Sequence, residues 1–319
     1  MAKIIVAGDA KIVVAGGAGF IGSHLCDFLI EKNEEVICID NLVTGDCKNV
    51  EHLMKNKKFT FIEQDVSKPF EIEGEISQIY DLASPASPVD YQEKPIETLD
   101  AGSYAVKNLL ELAKEKNASF LFASTSEIYG NPLEHPQKES YWGNVNSIGP
   151  RSCYDEAKRF GEAQCSAYRR IHKMDIKIVR IFNTYGPRMR KADGRVVPNF
   201  ITQCLEGKSI TIYGKGDQTR SFCYVSDMVS GLYALMNSKE QGPINIGNPV
   251  ETTIKQLAEK LIFLTKSNSK LEYQGLPQDD PERRLPDITL AKKHLNWTPE
   301  IELEKGLNET INYFQNTMD

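Results

Sequence analysis

The chain has 319 residues, 40% of them hydrophobic and 26% charged, with a net charge of −6 at neutral pH. Those proportions are those of a globular protein of one large or two closely associated domains, and the acidic balance argues against a nucleic-acid-binding surface. No apolar run approaches the roughly 18 residues of a membrane span. The start, one Lys and a short apolar run broken at Asp9, lacks the pattern of a secretory signal.

The first 22 residues say nearly the same thing twice. Ala2–Gly8 (AKIIVAG) and Ala10–Gly16 (AKIVVAG) differ only at Ile5 and Val13. The second copy runs into Gly16-Gly17-Ala18-Gly19-Phe20-Ile21-Gly22, and Ile21, Leu25, Phe28 and Leu29 then fall on one helical face. A strand, a glycine turn and a helix in that order form a phosphate cradle: backbone N–H groups approach a pyrophosphate and the helix N-terminus adds partial positive charge. The first copy places Asp9 and Lys11 opposite Gly17 and Gly19, which spoils such a cradle. Lys11–Gly16 is therefore the expected core strand. Met1–Asp9 is an extension, read equally as an added edge strand, an arm onto a neighbouring subunit or an appended remnant.

Downstream, EVICID, KFTFIEQD, QIYDLAS, SFLFAST and DIKIVRIFN read as further buried strands, separated for the most part by helical stretches such as PIETLDAGSYAVKNLLELAKEKN and YDEAKRFGEAQCSAYRRIHK. Strands apolar nearly throughout and linked by helices predict an α/β fold, a Rossmann-type doubly wound parallel sheet. After Asn183 glycines and prolines punctuate shorter elements, which predicts a smaller, interleaved α/β substrate-binding domain. The expected division is 1–182, with 221–250 returning to it, against 183–220 and 251–319.

Three stretches carry chemistry. Asp40 ends the second strand, where an acid accepts bonds from the adenosine ribose and repels a 2′-phosphate. No Arg follows in IDNLVTGD, so NAD is preferred over NADP. Tyr154 and Lys158 form the one Tyr-x-x-x-Lys among 13 tyrosines. That spacing puts both on one helix face, and a nearby ammonium is expected to favour the phenolate and make Tyr154 a base. Ser124-Thr125-Ser126-Glu127 ends a strand at the carboxyl edge of the sheet, where ligands bind. Its hydroxyls suit a substrate hydroxyl and its carboxylate adds an acid/base group. The seven cysteines, Cys26, Cys38, Cys47, Cys153, Cys165, Cys204 and Cys223, include no C-x-x-C. Reduced thiols in the cytoplasm, with no metal site, are expected, and Cys153 is read as a bystander near the site.

GGAGFIG, YDLASPASP, STSEIYG, Tyr-x-x-x-Lys and RIFNTYGPRM together resemble the extended short-chain dehydrogenase/reductase family. PLEHPQKESYWGNVN, GPRSCYDEAKR, DGRVVPNF, GKGDQTRSFCYVSD and DDPERRLPDI resemble the branch of it that decarboxylates UDP-glucuronate. The likeness runs from Lys11 to about Phe314. It implies NAD-dependent conversion of UDP-glucuronate to UDP-xylose through a 4-keto intermediate, in a homodimer whose candidate interface helices lie around 99–115 and 152–172. By the same resemblance, Thr125, Ser126, Glu127, Tyr154, Lys158 and Arg284 are catalytic, with Arg284 at the substrate carboxylate. Gly16, Gly19, Phe20, Ile21, Gly22, Asp40, Asn41, Asp65 and Leu82, with Tyr154 and Lys158, face the cofactor. Asn183, Arg195, Tyr213, Arg220 and Arg284 face the UDP-sugar, arginine being suited to phosphate by its planar fork.

Two departures accompany the resemblance. Ala15 stands where Thr is frequent, and in LDAGSYAVKNLLELA the residues Gly102, Ala105 and Val106 replace an Asn-x-x-Gly-Thr pattern. Asp100, where a Lys is common, is expected to meet the anionic sugar with the wrong charge. The alternatives are a nucleotide-sugar 4-epimerase or 4,6-dehydratase on the same scaffold, or a catalytically impaired NAD-binding homologue.

Overall fold

The computed structural model describes residues 2–5, 10–276, 281 and 283–317. Its centre is a parallel sheet of seven strands: Lys11–Ala15 (β1), Val36–Asp40 (β2), Phe59–Glu63 (β3), Ile76–Asp81 (β4), Ser119–Thr125 (β5), Ile176–Ile181 (β6) and Ile244–Ile246 (β7). They lie in the order β7-β6-β5-β4-β1-β2-β3. The order reverses between β1 and β4, and a crevice opens there at the carboxyl ends of the strands. The predicted strands all join this sheet. β7, a three-residue strand in a Gly/Pro-rich stretch, was too short to be read as one.

Alternation along the strands sorts the core into two layers. Val13, Ala15, Ile79, Phe120 and Phe122 face one side, against Leu109 and Leu110 of helix Val106–Lys116 and Cys165 of helix Ser152–His172. Ile12, Val14, Tyr80 and Leu121 face the other, against Leu25 and Leu29 of helix Phe20–Glu31 and Leu232 of helix Val225–Met236. We label these helices α1 (Phe20–Glu31), α2 (Val106–Lys116), α3 (Ser152–His172) and α4 (Val225–Met236).

Around this core sit small sheets. Thr219–Ser221 pairs antiparallel with Glu251–Thr253 and parallel with Arg283–Arg284, which sets Arg220 beside Arg284 in register. Ala2–Ile5 pairs in parallel with Phe70–Glu73, apart from the central sheet, while the second copy of the repeat supplies β1. The rest of the extension, Met1 and 6–9, lies outside the described residues, as do Asp279, Asp280 and Glu282 of the DDPERRLPDI motif.

The departure at 102 has a packing reason. Residues Ala101–Ala105 form a π-helical turn between helix Pro95–Asp100 and α2. There the backbone comes so close to α3 that a Cβ on Gly102 would stand 2.5 Å from the Cβ of Ala157. Gly102→Ala is expected to destabilise by about 1–3 kcal/mol through overpacking, read as a fall in the thermal midpoint. Ala157→Gly in the same chain should recover part of that loss. Strict additivity of the two changes would show that the pair does not set the helix spacing.

Candidate active site

The glycine turn after β1 is built by close approaches. Gly16 adopts a φ of +75°, and a Cβ there would stand 2.6 Å from the Leu82 carbonyl oxygen; one on Gly22 would stand 2.1 Å from that of Gly16. Gly19 is different, since its Cβ would meet nothing nearer than 3.1 Å. The open side of the turn thus lies at Gly19, where α1 begins with no side-chain cap on its N–H groups. Asp40 stands behind the turn. Its Oδ2 accepts the Ala18 N–H at 3.0 Å and its Oδ1 the Leu42 N–H at 2.8 Å. Burial raises its carboxyl above the ordinary range, with those N–H groups pulling the other way.

Two adjoining cavities share this turn. The larger, about 590 Å³, is lined by Gly16, Gly19, Phe20, Ile21, Gly22, Leu82, Thr125, Ser126, Glu127, Tyr154, Lys158, Asn183, Arg195, Tyr213 and Arg220. The smaller, about 160 Å³, is lined by Gly16, Gly19, Asp40, Asn41, Asp65 and Leu82, and by Asp100. Asp100 therefore faces the smaller cavity, beside the acids at 40 and 65, and not the one that holds Tyr154. Its helix, Pro95–Asp100, packs against α3, yet Asp100 itself is absent from the lining of the larger cavity, where the clash with an anionic sugar was anticipated.

In the larger cavity, α3 presents Tyr154 and Lys158. Tyr154 is stacked on Tyr91, ring centroids 5.1 Å apart and planes 6° from parallel, and the Thr125 side chain neighbours its hydroxyl. Thr125 Oγ1 also accepts the Glu127 N–H at 3.2 Å. Lys158 donates to the Ala123 carbonyl at 2.9 Å, and its Nζ lies 5.9 Å from the centre of the Tyr154 ring. Burial outweighs the other influences on both groups: it pushes the Tyr154 phenol up to about 12, against the pull of Thr125, and lowers the Lys158 ammonium. The expectation that the ammonium brings Tyr154 down is corrected. The resting phenol is neutral, because burial outweighs the opposing pull of Thr125 and Arg195.

Glu127 forms the other wall. It is largely enclosed, its side chain 16% exposed, which by itself raises a carboxyl, yet Arg284, Arg151 and Arg220 together hold it well below the usual range. Arg151 donates to its Oε2, and Arg284 donates to the same oxygen at 3.2 Å and to the Ser126 carbonyl. Arg284 is 1% exposed and absent from the cavity lining. It reaches the site from behind, through Glu127.

The model of the NAD dependent epimerase/dehydratase family matches residues 12–247. The chain belongs to that family. UDP-glucuronic acid decarboxylase 1 of Xenopus tropicalis is 50% identical over 309 residues, 97% of this chain and 73% of that protein. UDP-glucuronic acid decarboxylase 6 of Arabidopsis thaliana is 52% identical over 301 residues, 94% of this chain and 87% of that one. The solved structure of UDP-glucuronic acid 4-epimerase from Bacillus cereus, in complex with UDP-glucuronic acid and NAD, is similar with a TM-score of 0.85 at 28% identity. It covers 96% of this chain and 99% of that one.

The cofactor of the epimerase/dehydratase family fits the residues present. The cradle at Gly19 is open where a pyrophosphate would lie, the uncapped start of α1 faces it, and Asp40 and Asn41 line the smaller cavity next to it. Sequence reasoning missed Arg151, Tyr91 and Asp193, all of which line the larger cavity. Asp193 receives the Arg195 guanidinium, Nη2 to Oδ2 at 2.6 Å. Arg151 stood in GPRSCYDEAKR, three residues before Tyr154; that offset along the first turn of α3 was its only signal. Ser124, by contrast, is taken by the fold, donating to Glu162 at 2.7 Å, which in turn holds Arg180.

Proposed function

We propose that this protein decarboxylates UDP-glucuronate to UDP-xylose through a 4-keto sugar, with NAD restored in each turnover. The observation that carries the reading is one cavity with two chemical walls, Tyr154 with Thr125 on one side and Glu127 with Arg151 on the other. The identity of half the chain to UDP-glucuronic acid decarboxylases supports it. NAD supplies a hydride acceptor, and then the same hydride as donor, at carbon 4 of the sugar.

The residues do the rest. Tyr154 takes the proton of the carbon 4 hydroxyl, while Thr125 bonds the same oxygen. The ketone so formed lies beta to the carboxylate. The bond between carbons 5 and 6 breaks, carbon dioxide leaves, and the electron pair enters the enolate, whose oxygen Thr125 and Tyr154 hold. Carbon 5 takes up a proton, and Tyr154 returns its own to the oxygen on carbon 4. One proton is consumed for each carbon dioxide released. We assign proton handling at carbon 5 to Glu127, contact with the sugar carboxylate to Arg151, and the positioning of Glu127 to Arg284. The UDP portion falls to Asn183, Arg195, Tyr213 and Arg220.

The same reading divides the chain into a nucleotide-binding part, 1–182 with 221–250, and a sugar-nucleotide part, 183–220 with 251–319. It places the protein in the cytoplasm, a location its seven free thiols suit. It also makes it a homodimer, for which the exposed Leu99, Tyr104 and Phe160 beside the packed helices 95–116 and α3 supply apolar surface. The test is to incubate the protein with UDP-glucuronate and NAD and follow the sugar nucleotide by mass. Loss of one carbon dioxide with appearance of a UDP-pentose establishes the activity. An unchanged mass with an isomerised sugar assigns a 4-epimerase instead.

A further inference from the structure

Behind Lys158 lies a buried acid to which neither motif nor mechanism gives a role. Asp81 ends β4 and is 1% exposed. In the sheet register it stands between Ala15 of β1 and Phe122 of β5, on the face that α3 covers. Its Oδ1 accepts the Ala83 N–H at 3.2 Å, but its Oδ2 is buried with no hydrogen-bond partner. Lys158, 4% exposed, lies over the same spot, with its Nζ 5.1 Å above the Phe122 ring. An ammonium has three N–H donors, and among the described residues only the Ala123 carbonyl takes one. A buried charge without a counter-charge is strongly disfavoured.

We propose that Asp81 is the counter-charge of Lys158, a positioning residue that keeps the buried ammonium charged. Asp81 is the chief influence raising Lys158 against the effect of burial. In return Lys158 is the chief one lowering Asp81, whose carboxyl burial lifts to about 6. The titratable groups that face the pair from α3 are Lys158 itself and Cys165, whose thiol burial keeps neutral; the flanking strand positions are Ala15 and Phe122. Each group thus favours the charged form of the other. The ammonium is then available to Tyr154 and to the cofactor, a role that rests on the reading given above.

The test reads Lys158 directly. The full chain is labelled at lysine Cε and titrated by NMR with and without NAD, Lys158→Arg serving to assign the signal. Asp81→Asn is expected to lower the Lys158 titration midpoint by at least about one pH unit; an unmoved midpoint overturns the proposal. If Asp81→Asn does not fold alone, the Lys158→Met background decides. There the carboxylate has lost its partner, so adding Asp81→Asn should raise the thermal midpoint. An equal loss in both backgrounds would mean that Asp81 serves the fold and not the lysine. Because the titration needs no turnover, it stands even if the protein fails to release carbon dioxide, an outcome that would overturn only the assigned reaction.

Discussion

Tyr154→Phe is expected to slow carbon dioxide release by at least about 10³-fold, toward the upper range of what a positioned proton-transfer group contributes, while UDP-sugar binding changes little. The change removes one oxygen and keeps the ring that stacks on Tyr91, so the geometry of α3 should survive. What is lost is the phenol that neighbours Thr125 and lies near Lys158. The pH profile gives a second reading. Burial holds the resting phenol near 12, so the base form grows scarcer as pH falls. The rate limited by this base should therefore rise with pH across the neutral range, and the Phe variant should lose that slope. A turnover loss under tenfold, or an unchanged slope, would remove Tyr154 as the base. Binding measured by calorimetry separates either result from a collapsed site.

The parts of this arrangement that follow from local spacing were legible in the sequence. Apolar runs of five to seven residues marked the six longer strands, and the glycines placed the cradle because a backbone can approach there only without a Cβ. Tyr154 and Lys158 were found because four residues on a helix share a face. What was not legible depends on contacts between distant segments. Arg284 is separated from Glu127 by 157 positions, and its motif does not say that it packs behind the carboxylate, off the cavity. Asp100 was expected to meet the anionic sugar, but it lines the smaller cavity beside Asp40 and Asp65. The depth at which Tyr154 sits, and so the direction of its shift, is set by Tyr91, Thr125 and Glu127 together, three elements no single stretch of sequence brings into view.

Glu127→Gln bears on the second wall and separates chemistry from binding. The carboxylate is held low by three arginines, so in the resting protein it carries no proton to give. A substrate carboxylate brought against Arg151 changes that. Two like charges side by side raise the proton affinity of one of them, and on the proposed reading that is how Glu127 gains a proton. When carbon dioxide departs the second charge is gone, Arg284, Arg151 and Arg220 restore the low affinity, and the proton is released as carbon 5 requires it. Glutamine keeps the shape and the contact with Arg151 but cannot carry out this cycle. Turnover should then fall by about 100-fold or more with KM nearly unchanged, and incorporation of solvent deuterium at carbon 5 should become rate-limiting. The same substitution leaves buried Arg284 facing a neutral amide, so a lower thermal midpoint should accompany it. Arg284→Met in the Glu127→Gln chain should regain part of that midpoint without regaining turnover, because it relieves the unpaired charge and restores no proton carrier. Equal losses in kcat and in affinity would assign Glu127 to holding the sugar rather than to the proton.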